Sequence, residues 1–226
     1  SLLARRSLYC SKAADSEFSI CQEFDDEAGN IFFERIEHEW KNGKCIHCGA
    51  SEINYSRDRD LETHAYQFIH DTPPERIKNM KFDVIIGNPP YQISDGGYGT
   101  SAGPLYHRFV LEAIKLKPRF LTMIIPARWY SGGKGLAEFR ETMLSDARIS
   151  EIHDFPEASD CFPGVQIKGG VCFFLWDRSH VGKCLVSTHS GDELISSLKR
   201  PLLEEGCDTF IRYNEAIPIL QKIKKF

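Results

Sequence analysis

Asn88, Pro89, Pro90 and Tyr91 stand consecutively within Phe-Asp-Val-Ile-Ile-Gly-Asn-Pro-Pro-Tyr-Gln, which runs from Phe82 to Gln92. Two prolines in a row fix φ at both positions, and Pro89 turns Asn88 away from the helical region, so the tetrapeptide is a stiff loop. Such a loop holds three groups in fixed relation: the Asn88 amide oxygen and the Pro89 carbonyl as acceptors, and Tyr91 as a stacking face. Together they suit a planar ring that carries an exocyclic NH2. Two acceptors pulling on both hydrogens draw the nitrogen lone pair out of conjugation and aim it at an electrophile, with no general base needed. The plain alternative is a rigid turn in which Asn88 only caps backbone groups. The preceding Asp83 to Gly87 and the following Tyr91 weigh against it.

The elements around the loop must present it. Val84, Ile85 and Ile86 form a β-branched run that reads as a strand buried on both faces, stopped abruptly by turn formers. The loop therefore lies at a strand's carboxyl end, where ligands bind in open α/β sheets. Phe120 to Pro126 is the next apolar strand, with Ala127-Arg128-Trp129-Tyr130 in the loop at its end. Leu105 to Lys117 and Leu136 to Ser145 read as helices, Ile149 to Phe155 and Gly170 to Trp176 as strands. Alternation in His64 to His70 predicts one more strand upstream. Beyond Asp177, Leu185 to Thr188 reads as a strand, Asp192 to Lys199 as a helix, and Ile217 to Ile223 as the start of another. Alternating strands and helices predict an α/β sheet, mostly parallel. Ser94 to Gly103, with glycines at 96, 97, 99 and 103, reads as a flap over the site rather than a phosphate cradle, because no Lys-Ser/Thr signature follows.

Asp83 through Tyr91 resembles the catalytic motif of S-adenosylmethionine-dependent amino-group methyltransferases. Protein-glutamine methyltransferases and some ribosomal-RNA guanine methyltransferases carry the same four residues, and N4-cytosine presents a similar amine, so the flanks must choose. Tyr106 and Phe109 on a helix, a strand ending Ile-Ile-Pro-Ala-Arg-Trp, the Arg140 to Leu144 helix and Phe162-Pro163 before a last strand resemble the adenine-specific (N6) DNA methyltransferases of bacterial restriction-modification systems, type II or IIG-like. The likeness spans roughly Thr63 to Arg178. It implies a partial Rossmann-like methyltransferase sheet, S-adenosylmethionine as cofactor, and DNA with a flipped adenine as substrate. It also implies that Asp71 bonds the cofactor's adenine, and that Phe162, with Tyr106 beside it, contacts the flipped base opposite Tyr91. In that family the glycine-rich cofactor turn precedes the point where this chain begins, so weak or no cofactor binding is expected of the piece alone. An inactive fragment that engages DNA without methylating it is the non-enzymatic rival.

At 226 residues, with a net charge of −4 and 42% hydrophobic residues, the chain has the composition of a soluble globular protein. No apolar run approaches the ~18 residues of a membrane span and no signal-peptide pattern opens the chain, which predicts a cytoplasmic protein without a membrane partner. The negative net charge excludes a global basic field, so any nucleic-acid contact must use Lys and Arg gathered locally. Missing parts of a longer parent chain are the other expected partners.

Eight cysteines without a secretion signal read as reduced thiols and a metal site. Cys45-Ile-His-Cys48-Gly is a CxxC knuckle after an Asn42-Gly43 turn. Cys10 and Cys21 could complete a structural zinc site with Cys45 and Cys48, with His38 and His47 nearby; scattered thiols and a redox role are the alternatives. The expected organisation is a Cys-rich subdomain over 1–62, the catalytic part over 63–180, and an extension toward a target-recognition region over 181–226.

Overall fold

A computed structural model describes residues 35–70, 81–94, 96 and 102–223. The chain divides at Ile36, and the fold described is that of the unit Glu37–Phe226. Its first elements are short: β1 (Trp40–Lys41), β2 (Lys44–Cys45), α1 (Glu52–Tyr55) and α2 (Gln67–His70). Asn42 and Gly43 both have positive φ, 53° and 73°, the pattern of a two-residue turn whose twist matches that of the paired strands. The hairpin follows from that dipeptide.

Next come β3 (Val84–Gly87), the hairpin of β4 (Gln92–Ser94) and β5 (Ala102–Pro104), α3 (Tyr106–Lys115) and β6 (Phe120–Pro126). Then follow α4 (Ala137–Ser145), β7 (Ile149–Phe155), β8 (Val171–Asp177), the hairpin of β9 (Cys184–Ser190) and β10 (Glu193–Arg200), and α5 (Ala216–Ile223). Six strands form one sheet in the order β10-β9-β7-β8-β6-β3. β3, β6, β7 and β9 run the same way, while β8 and β10 run against them, so the sheet is mixed, with two parallel and three antiparallel neighbouring pairs where a mostly parallel sheet was expected. The α/β expectation holds.

Period-two burial in β6, β7 and β8 sends Leu121, Met123, Ile125, Ile152, Phe174 and Trp176 into one core with Val110 and Ala113 of α3 and Phe139 and Met143 of α4. Side chains as large as Trp176 and Phe174, fully buried, each contribute on the order of 1.5–3 kcal/mol. Asp146, just past α4, fastens the helix to the sheet by accepting bonds from Arg148 and from the Trp176 indole N–H at 2.9 Å.

Three expectations fail here. The segment His64 to His70 ends in a helical turn, not a strand, because the Tyr66 carbonyl accepts from both the Ile69 and His70 amides; its alternating rings instead pack Tyr66 and Phe68 on Phe109. Asp192 to Lys199 is strand β10, not a helix: Gly191-Asp192 makes a two-residue turn with Gly191 at φ 56°, and the partner β9 then dictates the conformation. Among the described residues β3 stands at the edge of the sheet rather than buried on both faces, with Val84 50% and Ile86 77% exposed. No helix among the described residues is long and apolar enough to cross a membrane.

Candidate functional site

β3 pairs parallel with β6 from Val84 against Phe120 to Gly87 against Met123, so the loop Asn88 to Tyr91 leaves the sheet where β6 also approaches its carboxyl end. Gly87 packs closely: a Cβ there would lie 3.4 Å from the Met123 side chain. Pro89 is buried and anchors the loop, while Asn88 is exposed toward solvent space. The Leu105 amide donates to the Tyr91 carbonyl at 3.0 Å, tying the loop to the start of α3. Among the described residues no backbone amide donates to the Pro89 carbonyl, which leaves it available as an acceptor.

These residues line a cavity of about 920 Å³ together with Tyr106, Phe162, Arg128, Lys134 and Lys168. A short 3-10 turn after β6, Ala127–Tyr130, contributes Arg128 to its wall, and Phe162 follows a second such turn, Ala158–Asp160, after β7. The Tyr91 and Phe162 rings lie 6.4 Å apart between centroids at 67°. A base between two parallel rings needs ~7 Å, twice the ~3.4 Å rise of stacked bases. The two rings stand edge to face instead, so sandwiching a base requires them to turn parallel and move slightly apart. The Tyr91 and Tyr106 hydroxyls are buried with no hydrogen-bond partner among the described residues. Burial pushes the Tyr91 phenol up to about 12, with Cys161 and Cys172 adding to the shift, and burial likewise raises that of Tyr106. Both rings therefore stay neutral at physiological pH. Arg128 and Lys134 of the β6–α4 connection and Lys168 of the β7–β8 connection give the mouth of the cavity a positive rim.

Behind the loop lies a second constellation. His38, Cys45, Cys48 and His70 are all buried, and their ligating atoms lie within 4.8 Å of one another. His38 Nε2 stands 2.7 Å from the Thr63 carbonyl and His70 Nδ1 2.9 Å from the Tyr66 carbonyl.

Residues 1–162 match the family described as Eco57I restriction-modification methylase. The chain belongs to this family of methylases. A curated relative from Mycoplasma pneumoniae, named as an uncharacterized adenine-specific methylase, is 39% identical over a match covering 83% of this chain. The chain spans about half the length of that relative, the match covering 50% of it. Among solved structures, the methyltransferase subunit of a Streptococcus thermophilus type I restriction-modification system aligns with a TM-score of 0.40 at 14% identity, covering 71% of this chain and 35% of that one. The type IIG restriction endonuclease BpuSI aligns at 0.34 and 15%, covering 50% and 16%. At these values neither structure supplies a residue role.

In the methylase, the structure brings Asn88, Pro89, Pro90, Tyr91, Tyr106 and Phe162 to one cavity. Asp71, Cys10 and Cys21 lie outside the described residues, as do 95 and 97–101 of the flap segment. Cys45 and Cys48 stand together as the knuckle requires, but their neighbours among the described residues are His38 and His70. His70 carried no ligand signal in sequence because it lies 22 residues beyond the knuckle. Arg128, Lys134 and Lys168 also went unassigned. The available signal was cations in two connections beyond predicted strand ends, Arg128 and Lys134 in one and Lys168 in the other.

Proposed function

We propose that the full-length methylase transfers a methyl group from S-adenosylmethionine to the N6 amino group of adenine in DNA, as part of a restriction-modification system. The observation that carries this reading is the convergence, on one cavity at the carboxyl ends of β3 and β6, of two available acceptors, two aromatic rings and a basic rim. Family membership and the name of the 39% identical relative support the same chemistry.

A base inside a duplex cannot present its amino nitrogen to an enclosed donor, so the adenine flips out, at a cost of a few kcal/mol offset by stacking and hydrogen bonds. Tyr91 and Phe162 take its two faces. Asn88 and the Pro89 carbonyl accept the two amino hydrogens and orient the nitrogen lone pair for in-line attack. Arg128, Lys134 and Lys168 hold the flanking phosphates, which position the strand without reading its sequence. S-adenosylmethionine supplies the electrophilic methyl. Asp71 is the position the family resemblance gives to its adenine, and the acceptors at Asn88 and Pro89, without a partner among the described residues, fit an incoming amine. Zinc, in this reading, is structural and takes no part in the transfer.

The test is nucleoside analysis by mass spectrometry after incubating the full-length protein with S-adenosylmethionine and mixed-sequence DNA. N6-methyladenine is expected. N4-methylcytosine, methylated glutamine in protein, or no methylated product would each overturn the proposal.

A further inference from the structure

We propose that His38, Cys45, Cys48 and His70 bind one zinc ion, and that this ion pins the segment that follows the Asn88 to Tyr91 loop. A carbonyl only accepts, so His38 Nε2, 2.7 Å from the Thr63 oxygen, carries a proton, and so does His70 Nδ1 beside the Tyr66 oxygen. In the neutral rings the other nitrogens, His38 Nδ1 and His70 Nε2, are then bare. These two bare nitrogens face each other at 3.2 Å inside the protein. Lone pair against lone pair is repulsive unless a cation stands between them.

Three of the six ligand-to-ligand distances match a tetrahedral centre, within a cluster whose ligand atoms lie no more than 4.8 Å apart. Bonds of ~2.0–2.1 Å to nitrogen and ~2.3 Å to sulfur place N···N edges at ~3.4 Å and N···S edges at ~3.6 Å. The observed edges are 3.2 Å for the nitrogen pair, and 3.5 Å both for Cys45 Sγ to His70 Nε2 and for Cys48 Sγ to His38 Nδ1. Each histidine is fixed by a carbonyl on its far side, the outer-shell arrangement that orients metal-bound imidazoles. Four protein ligands leave no open position, so the site is structural. Softness of two thiolates and two imidazoles favours zinc over hard cations.

The knuckle is joined to the loop region by direct bonds. The Ser51 amide donates to the Ser94 carbonyl at 3.0 Å, Asn54 Nδ2 donates to Ser94 Oγ at 2.7 Å, and the Ser94 amide donates to the Tyr55 hydroxyl at 3.3 Å. From the other side, Arg108 of α3 donates to the His47 carbonyl within the knuckle. Ile93 within β4 and Leu105 just after β5 share an apolar cluster with Cys45, Cys48 and Ile69.

The experiment uses the full-length protein purified without a metal-chelating resin. Elemental analysis should find about one zinc per chain, and cobalt substituted for it should show tetrahedral ligand-field bands with a sulfur-to-cobalt charge-transfer band. His38→Ala and His70→Ala should lose the metal, whereas Cys10→Ser and Cys21→Ser should retain it. Chelation should accelerate hydrogen exchange at the Ser94 and Leu105 amides. A metal-free wild type overturns the site, as does metal that depends on Cys10 and Cys21 but not on the histidines. If the histidine variants do not fold, the cobalt spectrum of the wild type decides: a four-sulfur charge-transfer intensity overturns the ligand set. Exchange rates unaltered by chelation overturn the pinning role. None of these readouts depends on methyl transfer, so they stand or fall apart from the enzymatic reading.

Discussion

His107 follows Tyr106 in α3, and its ring lies against Tyr106 and Phe139 at 6.1 and 6.0 Å between centroids. Burial, with the Arg108 charge adding to it, pulls its pKa down to about 4. The unfolded chain takes up this proton near the ordinary ~6.5, while the folded chain resists until about 4. Between those values the unfolded state binds more protons, so stability must fall as pH is lowered through that window. Urea midpoints measured from pH 7 to 4 should decline less steeply in His107→Gln than in wild type; identical slopes would contradict the assignment. The Tyr91 hydroxyl gives a second prediction at this scale. It is buried without a partner among the described residues, so Tyr91→Phe should fold at least as stably as wild type and keep its methylation rate. Tyr91→Ala should lose the rate along with the stacking face.

Among the elements, β8 depends on a single glycine. Gly170 has φ 75°, and a Cβ there would stand 2.1 Å from the Phe155 carbonyl oxygen and 2.5 Å from that of Pro156. Its own carbonyl accepts from the Ala127 amide, which closes the turn after β6 over the cavity. Left-handed strain alone costs ~1–3 kcal/mol, and the backbone clash adds to it. Gly170→Ala should therefore lower the melting temperature by ~10 °C or more, or abolish folding. Gly132→Ala, where a Cβ meets nothing within 4 Å, should leave it within a degree or two. Sequence made the elements of the central sheet legible where pattern and context agreed. Phe120 to Pro126 and Ile149 to Phe155 were bounded as found, because alternating burial leaves its mark on such runs. It misled where a neighbour overrides propensity. Glu193 to Arg200 has a helix-compatible composition, yet hydrogen bonding along β9 makes it a strand, and the Gly191-Asp192 turn was the overlooked cue. The rings of His64 to His70 alternate because they pack on Phe109, not because they are pleated.

At the scale of the whole molecule, a chain of net charge −4 gathers Arg128 and Lys134 of the β6–α4 connection and Lys168 of the β7–β8 connection around one opening. Only folding makes that patch, which is why the Asn88 to Tyr91 loop was legible from consecutive residues while the basic rim was not. The same holds for the metal cluster, whose histidines approach the knuckle only because the chain between Thr63 and His70 folds back on it. If Lys168 holds a phosphate, Lys168→Ala in the full-length protein should reduce the slope of log affinity for DNA against log salt by ~0.9, with little change in sequence preference. An unchanged slope would remove Lys168 from the interface. The central claim is that the Asn88 amide orients the target amine. Single-turnover methylation of saturating DNA by the full-length methylase, comparing wild type with Asn88→Ala, isolates that step from binding. Loss of one preorganised contact should slow the transfer by a factor of ~10² or more while DNA affinity is retained. A variant that methylates adenine at the wild-type single-turnover rate would contradict the account.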